Sequence, residues 1–349
     1  MLSSMSVDRR RTGVLLIQLG TPESPSVGDV RRYLREFLGD RRVLDLPRLP
    51  HWLLLHGVIL PLRPRRSAAA YASIWTERGS PLLLHSRALA EAVAEELGDG
   101  FAVELGMRYG APSLREALGR LAQAEVDRVI ALPLFPQHAE SSTGSALARF
   151  LELAGGTWQP SKLSTIGAFF DHPGLIASIA ALAQGPLREF RPDHVLFSYH
   201  GLPERQVRKG DASGSHCLES DACCSAIGAA NRHCYRAQCF ATTRALAAAL
   251  GLGSERHSIS FQSRLGRTPW IRPYTDQVLA ELASRGIRRL AVLCPSFVAD
   301  CLETLEEIGI RAREQWTNAG GEGFLLLPSL NSEARWVKAV ADLVREHAW

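Results

Sequence analysis

Long apolar runs are missing where a membrane span or an export signal would need them. The run after the basic start begins at Gly13, is interrupted by Gln18 and stops at Gly20. It is too short to cross a bilayer and no small-residue cleavage site follows it, so it reads as a first buried strand. Charge of one sign is scarce as well: the 349 residues carry a net +4, with the basic side chains scattered rather than run together. That distribution gives no case for a nucleic-acid partner. The seven cysteines lack a secretory signal, which points to a reducing cytoplasm, where clustered thiols more often hold metal than pair as disulfides. Apolar material is abundant at 46%, enough for a sizeable core in two domains or one large α/β unit.

Short apolar runs alternate with alanine-rich amphipathic stretches, the pattern of βα units on a parallel sheet. Strands are expected over 14–19, 102–105, 128–134, 195–199, 290–294 and 324–327. Helices are expected over 86–97, 113–124, 145–153, 175–190, 235–250 and 275–285. A weak internal repeat runs through this order. VLLIQLGTPE (Val14 to Glu23) resembles VLFSYHGLPE (Val195 to Glu204), and VDRVIALPLF (Val126 to Phe135) resembles IRRLAVLCPSF (Ile287 to Phe297). Two matches in one order indicate duplication. The fold class expected is therefore α/β, with two similar Rossmann-like halves, parallel sheets and a cleft outside the carboxyl ends of their strands. Residues 1–165 form the first half and 166–349 the second, the boundary falling between Gln159 and Pro192.

Two strand-like runs end in chemistry. HVLFSYHGLPER delivers His200, and RRLAVLCPSFVADCLETLEEI delivers Asp300, Glu303 and Glu307. The acids are spaced i, i+3, i+7, which sets them on one face of an α-helix. An imidazole with a line of carboxylates suits a divalent cation or a pair of mobile protons. A solvated acidic face near a helix N-terminus, and a histidine with a structural role, are the plainer readings.

Five cysteines crowd one insert at about 211–240: Cys217, Cys223, Cys224, Cys234 and Cys239. Thiolates held close together need a cation to offset their repulsion, either zinc or an iron–sulfur cluster. Four would suffice; adjacent residues seldom both ligate, so Cys223 or Cys224 is the expected spare. Elsewhere, an apolar run from Trp52 to Leu62 is followed by Arg63, Arg65 and Arg66. It reads either as a buried helix with a basic last turn or as an interfacial segment.

HGLPER with the following RKGD, QSRLGRTPW, PSFVADCLETLEE, GMRYGAPS, PLFPQHAESSTGS and LLIQLGTPE together resemble the ferrochelatase family, from about Val14 to about Asn331. The resemblance implies a chelatase-type fold and insertion of ferrous iron into protoporphyrin IX, with two protons released and the macrocycle bent. By it, His200 and Glu303 are the catalytic pair that meets the substrate iron, with Asp300 and Glu307 on a proton or metal path. Arg108, Tyr109, Trp270 and Phe297 match positions that line or support the porphyrin pocket. Several family members have a second histidine where this chain has Cys301, which reads here as a packed thiol. The cysteine insert is similar to that of a bacterial subclass with a [2Fe–2S] cluster, zinc being the alternative. The segment 51–75 matches an apolar lip at the pocket mouth, implying a cytoplasmic protein held peripherally on the inner face of the membrane, beside partner enzymes of haem synthesis. A chelatase for another metal or a more carboxylated porphyrin is the nearest competing reading. A non-catalytic metal or haem sensor is a third, disfavoured because a sensor needs no proton acceptors.

Overall fold

The computed structural model describes residues 11–156, 162–266 and 268–348. The basic start before Arg11 and the beginning of the expected boundary, at Gln159, lie outside them. In chain order the strands are β1 (Arg11–Gly20), β2 (Phe101–Tyr109), β3 (Val126–Pro133), β4 (Lys162–Thr165), β5 (His194–His200), β6 (His257–Gln262), β7 (Arg289–Leu293) and β8 (Gly323–Leu326). The helices are α1 (Val27–Gly39), α2 (Arg48–Leu54), α3 (Leu60–Ile74), α4 (Pro81–Leu97), α5 (Leu114–Gln123), α6 (Ser145–Gly155), α7 (Pro173–Phe190), α8 (Glu204–Lys209), α9 (Tyr235–Ala249), α10 (Thr275–Ser284), α11 (Arg313–Asn318) and α12 (Ala334–Glu346). Three wider π-helical stretches interrupt this pattern at Leu55–Ile59, Glu140–Gly144 and Glu303–Ala312.

The strands form two parallel four-stranded sheets, ordered β2-β1-β3-β4 and β6-β5-β7-β8. The second order is the first advanced by four, so the repeat in the sequence is a repeat of topology. In each half the first repeated motif is the central strand and the second is its neighbour. Val14 to Ile17 of β1 are fully buried, as a strand covered by helices on both faces requires. The glycine shared by both motifs has a steric cause. A Cβ on Gly20 would lie 1.8 Å from the Tyr109 carbonyl, and one on Gly201 would lie 2.8 Å from the Gln262 carbonyl. In each half the chain leaving the central strand grazes the end of its neighbour, where only glycine fits.

The halves share packing. Helix α12 lies against α4 and α7, and its Trp336, Val340 and Val344 sit in one apolar cluster with Leu89 and Val93 of α4. The chain's last helix is thus packed with elements that precede β5. Elements not expected from sequence include β4 (KLST) and β6 (HSISFQ), which are short and mostly polar, and the amphipathic helices α1 and α12. Among the described residues no helix is long and apolar enough to cross a membrane.

His194 opens β5 with its ring buried and Nε2 2.8 Å from Ser258 Oγ. Burial first, then Arg285 and His257, lower its pKa to about 4 from the ordinary 6.5. A ring kept neutral in the folded state is protonated sooner in the unfolded one, so its stabilisation is complete above about pH 6.5 and is lost as pH falls toward 4. We expect the urea midpoint of the protein to fall between pH 7 and 5, and the fall to be shallower in His194→Gln. Parallel curves for the two proteins would contradict this.

Candidate active site

His200 is the last residue of β5, and the register places it beside Gln262, the last residue of β6. Its Nδ1 is 2.6 Å from the Gly201 carbonyl oxygen. That oxygen can only accept, so Nδ1 carries a proton, and in the neutral ring the lone pair is on Nε2. Trp270 and Phe297 flank the ring at centroid distances of 6.4 and 6.3 Å. Of the residues that the sequence assigned to the site, Trp270 and Phe297 are therefore together with His200.

The acids come from the segment after β7, on the other side of β5 from β6 in the sheet. Gln262 Nε2 donates to the Glu303 carbonyl at 2.9 Å and approaches Glu307 Oε2 at 3.3 Å. The same side chain accepts from Ser198 Oγ through Oε1 at 2.8 Å. Ser263 adds its backbone N–H at 2.8 Å and its hydroxyl, both donating to Glu307. Glu307 is thus held against the end of β6. The Glu303 carboxylate faces the N-terminal half, where Tyr33, Tyr71 and Arg63 lie within its electrostatic reach, and it shares a hydrogen bond with the Cys301 thiol. Burial raises the phenols of Tyr33 and Tyr71 well above their ordinary range, so both remain protonated donors. Burial, then Arg66, lowers Arg63.

The three acids do not share one α-helical face. The segment that begins at Glu303 is π-helical, each turn taking in an extra residue, so residues four apart come nearly into line. Glu303 and Glu307 are stacked by this winding. Asp300 precedes the helix, is buried, and has its oxygens occupied. Oδ2 accepts from Asn331 Nδ2 at 2.8 Å, and Oδ1 from Thr304 Oγ1 and the Ser329 N–H at 3.2 Å each. It ties the turn after β7 to the segment after β8. Cys301 is packed with Leu82 and Ala299, and burial pushes its thiol well above the usual range, which suits an inert side chain.

Arg108 and Tyr109 stand at the end of β2, the counterpart of Gln262 in the first half. Both are braced on Asp40, at the end of α1. Arg108 Nη2 is 2.7 Å and the Tyr109 hydroxyl 2.9 Å from Asp40 Oδ2, and Ser145 donates to the same oxygen. Burial alone would raise the Asp40 carboxyl, but hydrogen bonds from Ser145, Arg42 and Tyr109 bring it below its ordinary value. Tyr109 is fully buried, and its ring begins a row through Phe37 and Tyr33 to Tyr71, with centroid steps of 5.2, 5.9 and 6.3 Å. Through this row Tyr109 connects to the two tyrosines that lie within electrostatic reach of Glu303. Tyr33, Tyr71, Asp40 and Gln262 were not singled out from sequence, although Gln262 opens the QSRLGRTPW motif and Tyr71 lies in the segment 51–75.

The lip spans α2, the π-helical turn and α3. His51, Leu55, Leu60, Ala68 and Tyr71 face inward. Leu49, Trp52, Leu53, Val58 and Leu62 face outward, Trp52 being 57% and Leu62 74% exposed. A wholly buried helix is thereby corrected to a two-faced one. Of the three arginines expected in a basic turn, Arg65 and Arg66 are exposed, while Arg63 turns partly inward toward Glu303.

The cysteine insert is organised by Asp211, whose carboxylate accepts from the backbone N–H groups of Ser213, His216 and Cys217. All five of its thiols are buried. Cys217 and Cys224 each share a hydrogen bond with Cys234, and Cys223 Sγ is 3.6 Å from Cys224 Sγ. Arg236 donates to Cys224 Sγ at 3.1 Å. The adjacent pair is therefore inside the group, and Cys239 stands apart, hydrogen-bonded to Tyr235. Burial raises the Cys217 and Cys223 thiols, and contact with Cys234 followed by burial raises Cys224. Cys217, Cys223, Cys224 and Cys234 are thus soft donors near one another, beside a guanidinium. Among the described residues, however, no three His, Cys, Asp or Glu side chains already converge in an ion-holding arrangement.

Against known proteins, the sequence profile of the ferrochelatase family matches residues 11–348. A ferrochelatase of Coxiella burnetii (strain Dugway 5J108-111) is 50% identical over 339 residues, 97% of this chain and 94% of that protein. One from Legionella pneumophila (strain Lens) is 47% identical over 336 residues, 96% of this chain and 99% of its own length. In structure the chain is similar to the sirohydrochlorin chelatase SirB of Bacillus subtilis subspecies spizizenii, with TM-score 0.55, 8% identity, and 96% and 94% of the two chains covered. SirB from Bacillus subtilis with Fe3+ gives TM-score 0.52 at 10% identity, covering 96% of this chain and 95% of that one. At those identities the likeness speaks for the fold alone.

Proposed function

The chain belongs to the ferrochelatase family, and from that membership we propose that it inserts ferrous iron into protoporphyrin IX, releasing two protons. The observation that carries the reading is the meeting of three strand ends. His200, at the end of β5, has its Nδ1 engaged by a carbonyl, which leaves Nε2 as the free ring nitrogen, while the π-helix after β7 is bonded through Glu303 and Glu307 to the end of β6. Exchange of two pyrrole protons for one dication leaves the macrocycle neutral, so the site must take protons without trapping the metal. Nε2 is a base and ligand of the right kind for the first task. Glu303 offsets the incoming charge from the other side, and the protonated phenols of Tyr33 and Tyr71 keep that carboxylate in a polar setting. A closed His/carboxylate cage would sequester Fe2+, whereas a single imidazole and a partly exposed acid hold it weakly. Glu307, fixed by Ser263 and Gln262, is the next acceptor outward. Asp300 serves that path by anchoring the turn that carries Glu303. Trp270 and Phe297 support the macrocycle beside His200, and Arg108 with Tyr109 stiffens the far wall. Binding energy spent on bending the ring would expose its nitrogen lone pairs.

In an anaerobic assay run side by side with protoporphyrin and a more carboxylated porphyrin, protoporphyrin should be the better substrate. His200→Ala and Glu303→Gln should each lower kcat by about 10²- to 10⁴-fold while porphyrin fluorescence titrations still show binding. Near wild-type turnover in folded His200→Ala would defeat the assignment.

The cysteine insert would hold a [2Fe–2S] cluster through Cys217, Cys223, Cys224 and Cys234, with Cys239 the spare. Such a group supplies one-electron redox capacity and a covalent clip on the insert. Protein purified anaerobically should be coloured and contain iron with acid-labile sulfide. A colourless, zinc-containing protein would overturn this.

The exposed row from Leu49 to Leu62, flanked by Arg65 and Arg66, suits peripheral attachment to the inner face of a membrane, with the greasy substrate and the partner enzymes of haem synthesis at hand. Replacing both Trp52 and Leu62 by serine should lower co-sedimentation with anionic vesicles several-fold. Unchanged binding would count against the lip.

A further inference from the structure

Tyr235 is the first residue of α9, directly after Cys234, and belongs to no motif of the pocket. Its ring is buried, and its hydroxyl is 2.8 Å from the His200 carbonyl oxygen and 3.0 Å from Ser296 Oγ. The His200 carbonyl only accepts, so the phenol proton goes to it, and Ser296 and the Cys239 thiol are left to donate to the phenol oxygen. Burial keeps the phenol protonated. One hydroxyl thereby joins the end of β5 to the turn after β7, next to Phe297, which packs on the His200 ring.

The consequence lies in the peptide between His200 and Gly201. Its N–H side is held by Gln262, whose carbonyl accepts from the Gly201 N–H at 2.8 Å. Its C=O side is held by Tyr235. Holding this peptide sets ψ of His200 and φ of Gly201, two of the torsions between the ring and the Gly201 carbonyl of the next peptide; that carbonyl accepts from Nδ1, and in the neutral ring this bond selects the tautomer that leaves Nε2 available. Gly201 has no side chain to restrict rotation by itself, so the orientation depends on these hydrogen bonds.

We propose that Tyr235 is a positioning residue for His200, holding the tautomer that metal insertion uses, and that the cysteine insert supports the reaction through this first turn of α9. The inference rests on His200 being the proton acceptor. Removing the hydroxyl leaves a buried carbonyl without its donor and frees the peptide to turn. A role confined to packing would be preserved by phenylalanine.

The test compares wild type, Tyr235→Phe and Ser296→Ala in anaerobic iron insertion, in porphyrin binding by fluorescence, and by nitrogen-15 spectra of histidine-labelled protein, with His200→Ala assigning the resonance. In Tyr235→Phe, kcat should fall about tenfold with the porphyrin Kd within about twofold, and the His200 signal should change from the Nδ1-protonated form to a tautomer mixture. Ser296→Ala should shift both readouts less, in the same direction. Wild-type kcat and an unchanged tautomer in Tyr235→Phe would overturn the proposal, as would a loss of porphyrin binding equal to the loss of turnover. Failure of the wild-type protein to insert iron would instead sink the reading of the site itself.

Discussion

The side chain of Gln262 is the joint on which this site turns. Its strand places it beside His200, its amide nitrogen reaches the Glu303 carbonyl and the Glu307 carboxylate, and its amide oxygen is satisfied by Ser198. A carboxamide is suited to this because it donates and accepts at once, and burial makes either deficit costly. The base, which comes with β5, and the acids, which come after β7, are separated by about a hundred residues of chain. They are set against each other by the strand lying at the sheet's edge.

That arrangement follows from the duplication. Each half places a central strand next to a strand whose end carries site residues: Arg108 and Tyr109 on β2, Gln262 on β6. Each half also needs a glycine where the chain leaves the central strand, because the neighbouring carbonyl occupies the space of a Cβ. The halves then diverge in use. The first spends its strand end on bracing Asp40 and the aromatic row; the second spends it on holding acids. The lip helices of the first half cover the acid helix of the second, so Glu303 meets Tyr33 and Tyr71 only when both halves are folded.

The sequence revealed the central strands, because runs such as VLLIQL and VLFSY are apolar enough to demand burial on both faces. It also revealed His200, Trp270 and Phe297 as neighbours, though through family motifs and not through periodicity. β6 went unread although HSISFQ alternates polar and apolar residues, because the run is short and polar at both ends, and with it went the role of Gln262. An α-helical reading of the acids misplaced Asp300, since a π-helical segment has a period that no simple hydrophobic pattern announces. The lip was legible as apolar but not as two-faced, because its faces are set by a π-turn at Leu55–Ile59 that shifts the phase between α2 and α3. Within the cysteine insert, adjacency suggested that one of Cys223 and Cys224 is surplus. In the fold Cys239 shares a hydrogen bond with Tyr235, while Cys223 and Cys224 lie side by side near Cys234.

The central claim is that His200 and Glu303 act as one site on one metal ion, and a double-mutant cycle measures this directly. Turnover would be compared for His200→Ala, Glu303→Gln and the double variant, each checked for porphyrin binding. If the two groups serve a single exchange of iron for protons, the double variant should be scarcely slower than the worse single one. If the two losses multiply, each residue acts on its own, and the account of a shared site is wrong.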